Sequence, residues 1–374
     1  MFHSTTRVRA LIMISRRFTS SVLFTLFFAV AAQAQENAPK IDATGTVSSP
    51  AARFPFSVFA SKEALARFGG IFKEGKAAPP LGQDIQASRA FYDKINSDRA
   101  ERMKKLYPVE IAAQKFAGVA AEVVTPKDGV DAHNAQRVLI NLHGGAFLWG
   151  AGSGGLVEAI PVASVGKIKV ITVDYRQGPE HTFPAASEDV EKVYRELLKT
   201  YKPQNIGIYG CSAGGALTAE ATAWLQTKDL PAPGAIGIFC AGVVDFAGDS
   251  AYTGHLLMGE PVPEQAFPLT ALSYFKGADP ANPLVLPGSS RDVLAKFPST
   301  LLVSGSRDFA MSAALRSNEL LTEAGARTEL HVWEGMWHSF FSDPELPESK
   351  AMYAVVARFF DRELGRDTAA SKRH

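Results

Sequence analysis

Short apolar runs recur along most of the chain. They fall at Ile111–Phe116, Ala120–Thr125, Val138–Leu142, Lys169–Val173, Ile206–Tyr209, Ala235–Cys240, Thr300–Val303 and Thr328–Trp333. Several are continuous and β-branched, as strands buried on both faces of a parallel sheet must be. Helical stretches separate most of them. Pro184 to Thr200 is the clearest, with Pro184 suited to a first-turn position. This alternation predicts an α/β fold, a mostly parallel central sheet flanked by helices. The first two runs lie close together and suit an antiparallel edge. A further helix is predicted from Asp84 to Leu106, with Ile85, Phe91, Ile95 and Met103 near one face and Pro108 as its stop. Residues 246–297 break the rhythm between the sixth and seventh strands. A structureless loop of that length is improbable in a compact domain, so an inserted helical cap is expected. With the N-terminal helix it would roof the site. No internal repeat is visible.

The 374 residues are 46% hydrophobic and 21% charged, which excludes global disorder. The 39 basic and 38 acidic side chains nearly cancel, which argues against a general nucleic-acid binder. Two cysteines, Cys211 and Cys240, exclude a disulfide framework and a cysteine-rich zinc module. Their placement predicts free thiols. The N-terminus reads as an export signal: Arg7, Arg9, Arg16 and Arg17, then the apolar run Val22 to Ala32, then Ala32-Gln33-Ala34 as a cleavage pattern. That run is well short of the ~20 residues that span a bilayer. The predicted organisation is a signal peptide over 1–34, an N-terminal region with a cap helix over 35–109, a core over 110–365, and a frayed polar tail over 366–374. Between Gln35 and Pro80 only short helices are expected. The mature protein would be periplasmic or secreted and carry no stable membrane anchor.

The chemistry gathers after strands. Gly210-Cys211-Ser212-Ala213-Gly214 fits G-x-S-x-G between a strand and a helical run. In such an elbow the turn is too sharp for flanking side chains, and the serine oxygen is lifted clear of the sheet. His143-Gly144-Gly145-Ala146-Phe147 follows Val138–Leu142. Its small residues let backbone N–H groups approach a carbonyl oxygen on which charge develops. Gly144, Gly145, Ala146 and Ala213 are the candidate oxyanion donors, and His143 is expected to hold the loop. Of the eight histidines, His338 alone sits just beyond the last strand, where a base reaches over the elbow. The acid should lie between Ser212 and His338, and Asp308 directly follows a strand. Glu334, Asp343 and Asp279 are its rivals. Phe147, Trp149, Trp337 and Phe340 put aromatic surface near the site and are the candidate substrate-binding residues, suited to an apolar acyl or aryl group. This chemistry needs no metal and no organic cofactor.

Together these residues resemble the hormone-sensitive-lipase-like family of α/β-hydrolases, a bacterial esterase group. His143-Gly144-Gly145 is similar to its oxyanion signature. Val173-Asp174-Tyr175-Arg176, Pro179-Glu180-His181 and Phe183-Pro184-Ala185-Ala186 are similar to a framework segment, and Gly210 to Gly215 to its extended elbow. Ala146 stands where the family usually has a third glycine, and Cys211 where it often has an acid. The resemblance implies an α/β-hydrolase with Gly145, Ala146 and Ala213 as the main oxyanion donors. Together with the predicted N-terminal export signal, it leads to the expectation of an exported serine hydrolase that cleaves carboxylic esters of short to medium acyl chains through Ser212, His338 and Asp308. A sugar-ester deacetylase or lactonase uses the same triad. A non-catalytic binding protein on the same fold would be signalled by loss of a triad residue, and none is lost. The expected partner is a small-molecule ester, with no nucleic acid; no oligomeric state is implied.

Overall fold

The computed structural model describes residues 40–43, 45–48 and 53–366. The segment predicted as an export signal, and most of the predicted polar tail, lie outside the described residues. Two compact units divide at Pro55. In the first, β1 (Lys40–Ile41) pairs antiparallel with β2 (Val47–Ser48).

The second unit holds an eight-stranded sheet of order β10-β9-β8-β7-β5-β6-β4-β3. Its strands are β3 (Val109–Phe116), β4 (Val119–Pro126), β5 (Val138–Leu142), β6 (Lys169–Val173), β7 (Ile206–Cys211), β8 (Ala235–Phe239), β9 (Ser299–Gly305) and β10 (Thr328–Trp333). Pairs from β6 through β10 are parallel, whereas β4 pairs antiparallel with both β6 and β3. The predicted antiparallel edge is therefore present. The central strands are buried throughout, and their side chains alternate between the two faces. Ile140 and Ile208 pack into one core layer, Leu139 and Tyr209 into the other.

Helices cover both layers. Residues of α4 (Ala185–Leu197), α5 (Ala213–Gln226) and α8 (Met311–Glu323) pack into the first. Residues of α3 (Ser153–Gly166) and α9 (Pro347–Glu363) pack into the second. Helix α2 (Ile85–Leu106) falls on its expected span. Asp84 caps it by accepting from Ala87 N at 2.9 Å, and Lys104 and Lys105 complement the dipole of its last turn.

Two features differ from expectation. A sixteen-residue helix, α1 (Lys62–Ala77), occupies the region where only short helices were foreseen. Gly69, Gly70 and Gly75 lower its intrinsic propensity, and Ser61 caps its start at 3.0 Å from Ala64 N. The segment 246–297 is mostly irregular. It contains α6 (Ser250–Met258), α7 (Arg291–Leu294) and 3-10 turns. Prolines at 261, 263, 268, 280, 283 and 287 prevent longer helices. Among the described residues no helix is long and apolar enough to cross a membrane.

Candidate active site

The loops that leave β5, β7, β9 and β10 emerge at one edge, beyond the carboxyl ends of parallel strands, where open α/β sheets bind ligands. Ser212 stands between β7 and α5 with φ 57° and ψ −122°, a left-handed backbone that lifts the side chain off the sheet. Space dictates the flanking glycines. A Cβ on Gly210 would lie 2.1 Å from the Leu142 carbonyl oxygen, and one on Gly214 would lie 1.7 Å from the same atom.

His338 follows β10, and its Nδ1 lies 2.7 Å from Asp308 Oδ1. Asp308 is fully buried and also accepts from Ser304 Oγ and Ala310 N, each at 2.9 Å. Burial pushes its carboxyl up, but the facing imidazole and these hydrogen bonds outweigh it and hold the group below the usual carboxylate range. An ionised Asp308 can only accept, so Nδ1 donates and Nε2 is left free. Ser212 and His338 line one cavity of about 630 Å³. Asp343, a rival for the acid, is instead buried against Arg67 at 2.9 Å and Arg102 at 3.2 Å.

The oxyanion loop is built by local necessity. Gly145 has φ +117°, and a Cβ there would strike Trp149 O at 2.0 Å. Ala146 and Phe147 continue in the left-handed region at φ 53° and 56°. The buried His143 ring stacks on Tyr175 at 4.3 Å, and Tyr175 OH donates to His143 O at 2.7 Å, which ties the loop to β6. Among the described residues the N–H groups of Gly145, Ala146 and Ala213 donate no hydrogen bond. Gly144 is a correction to the sequence reading, because its N–H is already given to Glu158 Oε1 at 2.9 Å.

Glu158 is the residue that sequence reasoning missed. It lies on α3, far from any motif, and also accepts from Asn141 Nδ2 at 3.0 Å. Burial pushes its carboxyl up to about 8, against the hydrogen bonds that favour the ion. A second unforeseen link joins the elbow to the His338 loop. Cys211 Sγ lies 2.9 Å from Ser339 Oγ, and Ser339 N donates to Cys240 Sγ at 3.4 Å. Both cysteines are buried free thiols, as the sequence placement predicts. Cys240 Sγ, an Asp308 carboxylate oxygen and a His338 ring nitrogen lie within 4.8 Å of one another, a donor set that could hold a metal ion.

Trp149 and Trp337 line the cavity, and Trp149 stacks on Tyr92 at 4.3 Å. Phe147 and Phe340 do not line it. Phe147 is buried against Tyr274 at 4.6 Å and Phe275 at 5.0 Å, and Phe340 against Trp333 at 5.5 Å. Both are core residues, because their side chains point away from the loop surface that their sequence positions suggested. Ile71 and Glu74 of α1, Phe91 and Tyr92 of α2, and His255 and Met258 of α6 close the cavity over the catalytic edge.

A family profile described as the alpha/beta hydrolase fold matches residues 139–342, more than half of the chain. The chain belongs to the α/β-hydrolase fold family. Within it, the protein is of the hormone-sensitive-lipase-like kind. An esterase of Acinetobacter venetianus is 26% identical over 271 residues, 69% of this chain and 86% of that one. Esterase LipU of Mycobacterium tuberculosis is 30% identical over 264 residues, 68% of this chain and 87% of its own. The crystal structure of an esterase from the bacterial hormone-sensitive lipase family superposes with a TM-score of 0.71 at 26% identity, covering 82% of this chain and all of that one. The structure of esterase E25 gives a TM-score of 0.75 at 29% identity over 85% of this α/β-hydrolase and 99% of that chain.

Proposed function

We propose that this α/β-hydrolase, a carboxylesterase-type enzyme acting on small-molecule esters, works through a Ser212–His338–Asp308 triad and an acyl-enzyme intermediate. The observation that carries the reading is the buried Asp308–His338 bond at the rim of the cavity that Ser212 lines. Ser212 Oγ attacks the ester carbonyl while His338 Nε2 takes its proton. Asp308 fixes the tautomer and stabilises the imidazolium. Negative charge developing on the carbonyl oxygen meets the N–H groups of Gly145, Ala146 and Ala213, whose orientation is set before reaction. His338 returns the proton to the leaving alcohol, the alcohol departs, and water repeats the sequence on the acyl-enzyme. Trp149, Trp337 and the other aromatic walls support a short to medium acyl chain.

The proposal also has the chain exported and cleaved after Ala34, on the strength of the N-terminal charge, apolar run and small-residue pattern. N-terminal sequencing of exported protein tests that, with Gln35 as the expected first residue. Labelling with a fluorophosphonate probe tests the nucleophile: the mass shift falls on the peptide that contains Ser212. Labelling elsewhere, or none on folded protein, overturns the assignment.

A further inference from the structure

Three arginines cluster where α1, α2 and the loop after β10 meet. Arg67 donates to Glu74 at 2.6 Å and to Asp343 at 2.9 Å. Arg102 donates to Asp343 at 3.2 Å. Arg99 reaches only Glu74, at 3.3 Å, on a carboxylate that Arg67 already holds more closely. Two carboxylates thus serve three guanidiniums. A third, Glu345, is half-exposed and lies 3.6 Å from Arg102, where solvent screens it. Arg99 is the cation left with the weakest partner, and it lines the cavity that contains Ser212. Burial pulls its pKa down; Asp343 and Glu74 push back, and Arg67 and Arg102 act with burial, so the net direction is downward.

A second observation points the same way. Asn96, one turn before Arg99 on the same face of α2, also lines the cavity. Its side-chain amide makes no hydrogen bond among the described residues. It faces α3, where a Cβ on Gly154 would come 3.2 Å from Asn96 Nδ2. Beyond Ser212 and His338, the cavity wall is otherwise aromatic and aliphatic apart from His255, Arg307, two serines and three carboxylates. Glu74 holds Arg67 and Arg99, Glu158 accepts from Gly144 and Asn141, and Glu260 pairs with His255. Against that wall Asn96 presents an amide N–H and Arg99 a guanidinium with donors to spare. The other cavity arginine, Arg307, is engaged by the Leu257 carbonyl at 2.6 Å and by the Phe56 and Phe68 rings.

We propose that Arg99 and Asn96 form an anion subsite that binds a carboxylate carried by the ester substrate. The inference rests on the esterase reading above and specifies its substrate class. The substrate is an ester with an apolar stretch against the aromatic walls and a carboxylate at one end. A guanidinium fork and an amide N–H match the lone pairs of such a group, and burial strengthens the contact. The carboxylate is supplied from the acyl side, as in a monoester of a dicarboxylic acid, or from the alcohol side.

The test compares kcat/KM for matched pairs. On the acyl side the pair is the p-nitrophenyl monoester of adipic acid against p-nitrophenyl hexanoate. On the alcohol side it is the butyrate ester of p-hydroxybenzoate against phenyl butyrate. The wild-type enzyme should favour the carboxylate member of one pair, and the pair identifies the source. Arg99→Met should lower that carboxylate-to-neutral ratio by at least about tenfold, the scale of one charge-assisted hydrogen bond. Arg99→Lys should recover part of the ratio. Free adipate or p-hydroxybenzoate should inhibit neutral-ester hydrolysis competitively in the wild type and less in Arg99→Met. Discrimination against the carboxylate in both pairs overturns the subsite, as does a ratio unchanged by Arg99→Met, and either leaves the esterase reading standing. Failure to hydrolyse any of the four esters overturns both.

Discussion

Asp308, with no solvent exposure, accepts a hydrogen bond from His338 Nδ1 at 2.7 Å between Nδ1 and Oδ1. The acid is held from three sides, by Ser304, Ala310 and the imidazole. Asp308→Asn keeps the shape but removes the charge and favours the wrong tautomer. Turnover should fall by at least about 10² and towards 10⁴. Asp279→Asn and Glu334→Gln should cost far less. Asp343→Asn should lower stability, because it weakens the contacts of a buried carboxylate with two partly exposed arginines, while turnover per folded molecule persists. Steady-state kinetics on proteins matched by circular dichroism check this. Retained activity in Asp308→Asn would move the acid elsewhere.

Glu158 gives the activity an alkaline limb. Its carboxyl, pushed up to about 8, is mostly neutral at pH 7 and ionises above that value. The new negative charge lies 2.9 Å from the Gly144 nitrogen, beside the loop that must stabilise an oxyanion. kcat should decline as pH rises through about 8 in the wild type. In Glu158→Gln, which cannot ionise, that decline should be absent. Superimposable pH profiles would refute the role.

Glu220 controls stability rather than turnover. It is buried on α5, and neither carboxylate oxygen has a partner among the described residues. Burial raises its pKa far above the ordinary range. Below about pH 4 both folded and unfolded chains hold the proton, and the group contributes no pH dependence. Above it the unfolded chain releases the proton first, so stability falls with rising pH until the folded value is reached. Glu220→Gln should match the wild type near pH 4 and exceed it increasingly by pH 8. The gain is limited to about 1.4 kcal/mol per pH unit for one proton. Thermal melts across that range measure it, and parallel curves would contradict it.

Ala146 occupies a glycine-like backbone at φ 53°. A left-handed alanine is strained by about 1 kcal/mol. Ala146→Gly should therefore raise stability by up to about 1 kcal/mol, read as a denaturation midpoint, with esterase activity kept. A loss of stability would show that the Ala146 methyl contributes packing worth more than the strain.

Most of the sheet was legible because buried parallel strands are short, mostly apolar and rich in β-branched residues, as Val170, Ile171, Thr172 and Val173 show most plainly. The elbow and the base and acid loops were legible because each follows such a strand. Helix α1 was hidden by its glycines, since it depends on a cap and on tertiary packing more than on propensity. Phe147 and Phe340 were misread because adjacency to a catalytic residue does not reveal which way a ring points. Gly144 was misassigned for want of Glu158, a helix residue whose importance comes only from the fold that brings it to the oxyanion loop. Arg99 and Asn96 were invisible for the same reason.

The central claim is that Ser212 is the nucleophile. Its most direct test is hydrolysis of p-nitrophenyl butyrate by Ser212→Ala, purified, folded and compared with the wild type. The substitution removes one oxygen at the cavity wall, so the thermal midpoint should change little. Turnover should fall by about 10⁴ or more, leaving only what the oxyanion donors and binding supply. Folded Ser212→Ala protein with activity near that of the wild type would contradict the account.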